Sequence, residues 1–144
     1  MQKKVLTIYI ALQYTMHNDI TKCDISRRDI SHWRKERRIL MDAHIKKVYV
    51  PMTETGFYIL LCLQHEMHGY SIVQKVEELT KGEIRLSPGT MYGSLSKMEK
   101  DGLIKFVREE EKRKIYRITD LGKEVLELEM KRIKRLYQNL LEVE

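Results

Sequence analysis

Residues 87–104 read SPGTMYGSLSKMEKDGLI, and the fold turns on what this segment faces. Ser87 is a favoured helix N-cap, and Pro88 suits the first helical position, where its missing N–H is not needed. Met91, Leu95 and Met98 recur at i, i+4 and i+7, so one side of the helix is apolar, and Gly102 closes it. At 100° per residue the opposite side carries Gly89, Gly93, Ser96, Lys97 and Lys100, with Thr90 and Tyr92 on the two shoulders. The outward face therefore starts with glycine and small hydroxyl groups and ends with lysines.

The neighbouring segments say what kind of domain holds this helix. Upstream, TETGFYILLCLQHE (53–66) opens with a capping Thr and is then apolar nearly all round, which predicts a helix buried on every side. GYSIVQKVEELTKG (69–82) places Ile72, Val76 and Leu79 at i, i+4 and i+7, which predicts an amphipathic helix ending near Gly82. Downstream the period changes. LIKFVRE and RKIYRIT flank the polar EEEK, which predicts a two-stranded antiparallel hairpin over about 103–108 and 113–118. A last helix is expected from Thr119 or Asp120 onward. It carries Leu126, Met130, Ile133, Tyr137 and Leu140 at alternating spacings of 4 and 3, a seam that needs a partner helix. Three helices, a hairpin and a long helix make a mainly α fold with a small β-hairpin: a winged helix-turn-helix domain plus a C-terminal dimerisation helix.

Composition narrows the rest. The chain has 144 residues, 42% hydrophobic and 33% charged, enough for one small core that gains from a partner chain. No apolar run reaches 18 residues, so no spanning helix is expected. The apolar stretch VLTIYIALQY (5–14) lacks the small-residue cleavage site of a signal peptide. Cys23 and Cys62 form no spaced framework. Cys62, inside FYILLCL, reads as a buried hydrophobe in a reducing cytoplasm. The net charge of +6 is uneven: residues 1–51 hold 11 Lys+Arg against 5 Asp+Glu, and the remaining 16 and 16 cancel. The basic excess therefore lies in an N-terminal extension, where a polyanion is attracted first, or in a merely solvated tail.

Residues 52–144 resemble the PadR family of transcriptional regulators. The resemblance is carried by TETGFYILLCL, by HGYSIVQKVEELTKGEIRLSPGTMYGSLSKMEKDGLI with its His-Gly-Tyr and Pro-Gly-Thr-x-Tyr runs, and by the wing RKIYRITDLGKEVL. Met98 stands where the family usually has Leu. The resemblance implies a homodimeric winged-helix regulator, often a repressor, released in some cases by a small-molecule effector. It implies dimerisation through the C-terminal helix and the N-terminal part of the domain, and places Tyr70 of His-Gly-Tyr near the DNA backbone. Residues 1–40 fall outside it. Met41 would be a natural start, so 1–40 read as an upstream extension or a basic arm. LQYTMHNDI (12–20) echoes LQHEMHGYSI (63–72), and ISRRDISHWRKERRI (25–39) has the texture of a basic helix.

The expected organisation is thus a basic extension over 1–51, a winged-helix domain over 52–119 and a dimerisation helix over 120–144. The expected partners are double-stranded DNA and a second copy of the chain, with no membrane, metal or cofactor. Expected DNA-facing residues are Tyr70, Gly89, Thr90, Tyr92, Gly93, Ser96, Lys97 and Lys100, with Lys112, Arg113 and Lys114 at the wing beside Glu109, Glu110 and Glu111. Phe57, Leu60, Leu126, Met130, Ile133, Tyr137 and Leu140 are expected at the dimer face. The outward face lacks Arg, Asn and Gln, the residues best fitted to bidentate base reading, so DNA shape and half-site spacing should matter. No nucleophile–base set or phosphate loop points to an enzyme. The competing reading is a winged-helix protein–protein module without DNA binding, which the neutral charge of 52–144 keeps open.

Overall fold

The structure, a computed structural model, describes residues 27–143. The apolar run 5–14, the echo at 12–20 and Cys23 lie outside the described residues. The chain divides into two compact units, Met1–Ile39 and Leu40–Glu144. The first unit includes the opening turns of helix α1 (Arg27–Tyr49), where His32 Nε2 lies 3.1 Å from Glu36 Oε1, one turn on.

In the second unit α1 is followed by α2 (Glu54–Cys62), β1 (Met67–His68), α3 (Gly69–Leu79), α4 (Pro88–Lys100), β2 (Ile104–Glu110), β3 (Arg113–Ile118) and α5 (Asp120–Val143). The sheet order is β1-β3-β2, all antiparallel. The four helices α2 to α5 each begin on a side-chain cap. Thr53 Oγ1 accepts from Gly56 N at 3.2 Å, His68 Nδ1 from Ser71 N at 3.2 Å, Ser87 Oγ from Thr90 N at 3.1 Å and Thr119 Oγ1 from Gly122 N at 3.1 Å. α3 and α4 end alike. A left-handed residue, Lys81 at φ +51° and Gly102 at φ +78°, precedes the closing donor in each: Gly82 N reaches Glu77 O at 2.8 Å, and Leu103 N reaches Met98 O at 2.9 Å.

The core gathers the apolar stripe of each helix: Ile59, Leu60 and Leu63 from and after α2, Ile72 and Val76 from α3, Met91, Leu95 and Met98 from α4. Leu103, Ile104, Tyr116 and Ile118 come from the sheet and its approach, Val125 and Leu126 from α5. Burial raises the Cys62 thiol above its usual range, as suits a core residue.

The compact unit begins upstream of the expected boundary between 51 and 52. Ile45 is buried in the core, Tyr49 and Val50 pack against it, and Lys46 pairs with Glu124 of α5. The last turns of α1 therefore belong to the packed domain. The wing also differs in detail. β2 runs on to Glu110, leaving a two-residue turn of Glu111 and Lys112 at φ +49° and +63°. Two left-handed non-glycine residues suit the right-handed twist of a tight hairpin but cost backbone strain. β1 adds a third strand, paired Met67 to Tyr116 and His68 to Ile115; at two residues it is too short to show a period.

Two residues expected at the dimer face lie elsewhere. Leu60 and Leu126 are 0% and 3% exposed within the single chain, so neither has surface for a partner. The early turns of α5 face its own core, and Phe57 and Met130 are half-buried against that core. Ile133, Leu136, Tyr137, Leu140 and Leu141, beyond them, form an exposed apolar stripe.

Where the two halves of α5 meet sits Glu129, 1% exposed. Its carboxylate accepts from Arg132 Nε at 2.9 Å and Arg132 Nη2 at 2.6 Å, and from the backbone N–H of Met52. These donors hold its pKa below the usual carboxylate range, the Arg132 bonds first, against the opposing effect of burial. A carboxylate depressed on folding stabilises above its unfolded pKa of about 4.3, and that stability is lost as pH falls through the lower folded value. Glu129→Gln is therefore expected to cost about 2 kcal/mol at neutral pH and almost nothing in strong acid, which denaturant melts across the acid range will measure.

Candidate nucleic-acid interface

α4 presents to solvent the side expected of it. Met91, Leu95 and Met98 are buried, whereas Gly89, Thr90, Tyr92, Gly93, Ser96, Lys97 and Lys100 are all exposed. A Cβ added at Gly93 would meet no atom within 4 Å, and one at Gly89 only Ser87 Oγ at 4.0 Å. Neither glycine is needed to pack helices together. Both leave open space in front of the helix, where another backbone can come close. Thr90 is less free than the sequence suggests, because its hydroxyl lies 2.9 Å from the capping Ser87 Oγ.

Tyr92 is 58% exposed, yet its position is specified. A Cβ at Gly69 would lie 3.1 Å from Tyr92 Cε1 and 3.4 Å from Cζ. The ring thus lies along the backbone at the start of α3, beside Tyr70, itself 59% exposed. The start of α3 meets the middle of α4 there, at Tyr92 and Leu95, with two tyrosines at the surface. Behind them burial, with the charges of Glu99 and Tyr92, raises the Tyr116 hydroxyl pKa. The His68 imidazole one residue earlier is occupied as the α3 cap, with Ser71 Oγ also within 3.3 Å. Among the described residues no His, Cys, Asp and Glu cluster could hold a metal ion.

The wing does not bring its three cations together. Lys112 stands at the turn, whereas Arg113 and Lys114 are consecutive strand residues whose side chains point to opposite faces. Register pairs each with a carboxylate: Arg113 faces Glu110 and Lys114 faces Glu109 across the ladder. Nearer its base the wing is tied to the residues before β1. Arg108 pairs with Glu66 and, at 2.6 Å, with Glu110, and Arg117 lies 3.8 Å from Glu66. The Arg108 bond holds the Glu66 carboxyl below its usual range. These are exposed pairs, which add little to stability.

Sequence reasoning missed one group beside α4. Tyr49, at the end of α1, donates its hydroxyl to Asp101 Oδ2 at 2.7 Å, and Lys97 Nζ sits 5.3 Å from the centre of its ring. VYVP at 48–51 shows no period, and the basic charge upstream masked its link to the core.

The fold that carries this helix and wing is shared with known regulators. A family model described as "Transcriptional regulator PadR-like family" matches residues 59–128. The chain is 32% identical over 80 residues to the transcriptional regulator Rv3488 of Mycobacterium tuberculosis, covering 54% of this chain and 72% of that one. It is 28% identical over 75 residues to the transcriptional regulator YqjI of Escherichia coli, covering 52% of this chain and 36% of that one. The chain thus spans 24% to 36% of the length of several curated relatives it matches. The crystal structure of a PadR family transcription regulator from Clostridium difficile R20291 superposes with a TM-score of 0.53 at 32% identity, covering 62% of this chain and 99% of that one. Among the described residues no helix is long and apolar enough to cross a membrane. On these likenesses, and on the winged-helix geometry beneath them, the chain belongs to the PadR-like family of transcriptional regulators.

Proposed function

We propose that this chain represses transcription as a homodimer that docks the outward face of α4 in the major groove of a near-palindromic operator, with release by a small-molecule effector as part of the same reading. The observation that carries it is the exposed face of α4. Its apolar residues are all buried, nothing stands in front of Gly93, and Lys97 and Lys100 follow at the far end. Glycines admit the DNA backbone, the hydroxyls of Thr90, Tyr92 and Ser96 offer hydrogen bonds, and the lysines neutralise phosphates. Tyr70, exposed and next in sequence to the Gly69 that Tyr92 lies against, would extend that contact to the start of α3. The stripe from Ile133 to Leu141 supports pairing of two copies, since a face of that kind on a small chain needs cover. Two copies carry two recognition helices, which sets the symmetry of the site.

The neutral balance of residues 52–144 and the paired charges of the wing favour a second reading, a protein-binding module. One titration separates the two. A labelled duplex from upstream of the protein's own gene is titrated with the full chain at several salt concentrations, and light scattering gives the oligomeric state. With Lys97 and Lys100 of two protomers on phosphates, log affinity is expected to fall with log salt at a slope of about −3 to −4. No binding at low salt would leave the protein-binding reading in its place.

A further inference from the structure

We infer that Tyr49, which lies outside the family-matched residues 59–128, is a positioning residue for the DNA face of α4: it holds the end of that helix through Asp101 and seats the Lys97 ammonium on its ring. The inference rests on the reading that α4 docks on DNA.

Three observations meet at this residue. First, Tyr49 is itself held. Ile45, one turn earlier, is buried in the core, Lys46 pairs with Glu124, and Tyr49 packs against the core in turn. Second, its hydroxyl donates to Asp101 at 2.7 Å, and Asp101 is the C-cap of α4. Burial, then the Asp101 hydrogen bond and charge, push the hydroxyl's pKa well above the usual tyrosine range, so it remains a donor at any physiological pH. Third, the same ring lies under Lys97 at 5.3 Å, within cation–π reach.

The consequence for DNA binding is entropic and geometric. A free lysine loses most of its rotamer freedom when it settles on a phosphate. Lys97 has lost part of that freedom already, on a ring that keeps its charge exposed. The bond to Asp101 acts at the end of α4 opposite the Gly89 and Gly93 approach, so the helix is fixed at its far end while its near end is left open. Lys100, one turn from Lys97 on the exposed side, has no such seat among the described contacts and serves as the internal comparison.

The test has two arms. In the first, without DNA, the side-chain protons of Lys97 are observed by NMR. They are expected upfield of those of Lys100 through the ring current of Tyr49, retained in Tyr49→Phe and lost in Tyr49→Leu. In the second, the full chain and its variants are titrated with a labelled duplex from upstream of its own gene. Tyr49→Phe keeps the ring and is expected to lose affinity about 2-fold, and Tyr49→Leu about 10-fold while still folded and melting cooperatively, a few degrees below the wild type. Tyr49→Leu is expected to lose far less when Lys97 is already Met, because the two residues act together. Tyr49→Leu binding like the wild type, fully additive losses, or a Lys97 signal coincident with that of Lys100 would overturn the inference alone. Wild-type protein that binds no duplex would overturn the reading of α4 and the inference with it.

Discussion

Replacing Gly122 by alanine is expected to destabilise the chain by about 3 kcal/mol or more and to lower its melting temperature by roughly 10 °C. Gly122 sits in the first turn of α5, where the helix crosses the strand approach at Leu103. A Cβ there would run into the Leu103 carbonyl oxygen and lie 2.7 Å from Ile118 Cγ1. Neither neighbour can give way cheaply. The Leu103 carbonyl accepts from Thr119 N at 2.9 Å and from Thr119 Oγ1 at 3.1 Å, and Ile118 is buried. Thr119 also caps the helix through Gly122 N. A methyl group at 122 therefore presses at once on the cap, on the start of β2 and on the core. α5 carries the apolar stripe from Ile133 to Leu141, so loosening its base should weaken pairing of the chains as well. Circular-dichroism melts with light scattering at the same concentration measure both. A Gly122→Ala protein that melts within about 2 °C of the wild type would show that α5 can slide off Leu103 without cost, contrary to the geometry.

What could be read in advance follows a physical boundary. Periodicity located α3, α4 and α5 because each has a buried stripe with a solvated back, and it identified the outward residues of α4 for the same reason. Periodicity alone does not say which element a stripe faces. The run Leu126, Met130, Ile133, Tyr137 and Leu140 is continuous by spacing, yet Leu126 packs into its own domain and Tyr137 is 61% exposed. The division falls at Glu129, a buried carboxylate that spacing counts as polar and that only its partners Arg132 and Met52 explain. Leu60 was misplaced for the converse reason: an all-apolar helix does not say which side its own domain covers.

Charge misled at α1. Lys46 and Lys47 made 1–51 look like a basic extension, although the neighbouring Ile45 and Tyr49 are built into the domain. At the wing EEEKRK sets a basic trio beside an acidic one, and strand register places Arg113 and Lys114 opposite carboxylates. Such cross-strand pairing depends on where the turn falls. Here that rests on two left-handed residues, Glu111 and Lys112, which carry no asparagine–glycine turn signal.

The glycines of α4 can be tested where stability and function move in opposite directions. Gly93→Gln is expected to raise the stability of the folded chain by about 0.5–1 kcal/mol, since Gly93 is an exposed position inside a helix and glutamine is the better helix former. Nothing within 4 Å of its Cβ opposes the change. The same variant is expected to lose about 100-fold in DNA affinity, close to 2.7 kcal/mol, because the side chain fills the space through which the DNA backbone approaches. The change is uncharged, so the slope of affinity against salt should stay that of the wild type, whereas Lys97→Met and Lys100→Met should each flatten it. A protein that melts higher, binds 100-fold more weakly and keeps its salt slope has lost fit and nothing else. Undiminished affinity in Gly93→Gln would mean that α4 does not approach DNA by this face. Parallel loss of stability and affinity would mean that Gly93 serves the fold after all, against the open space in front of it.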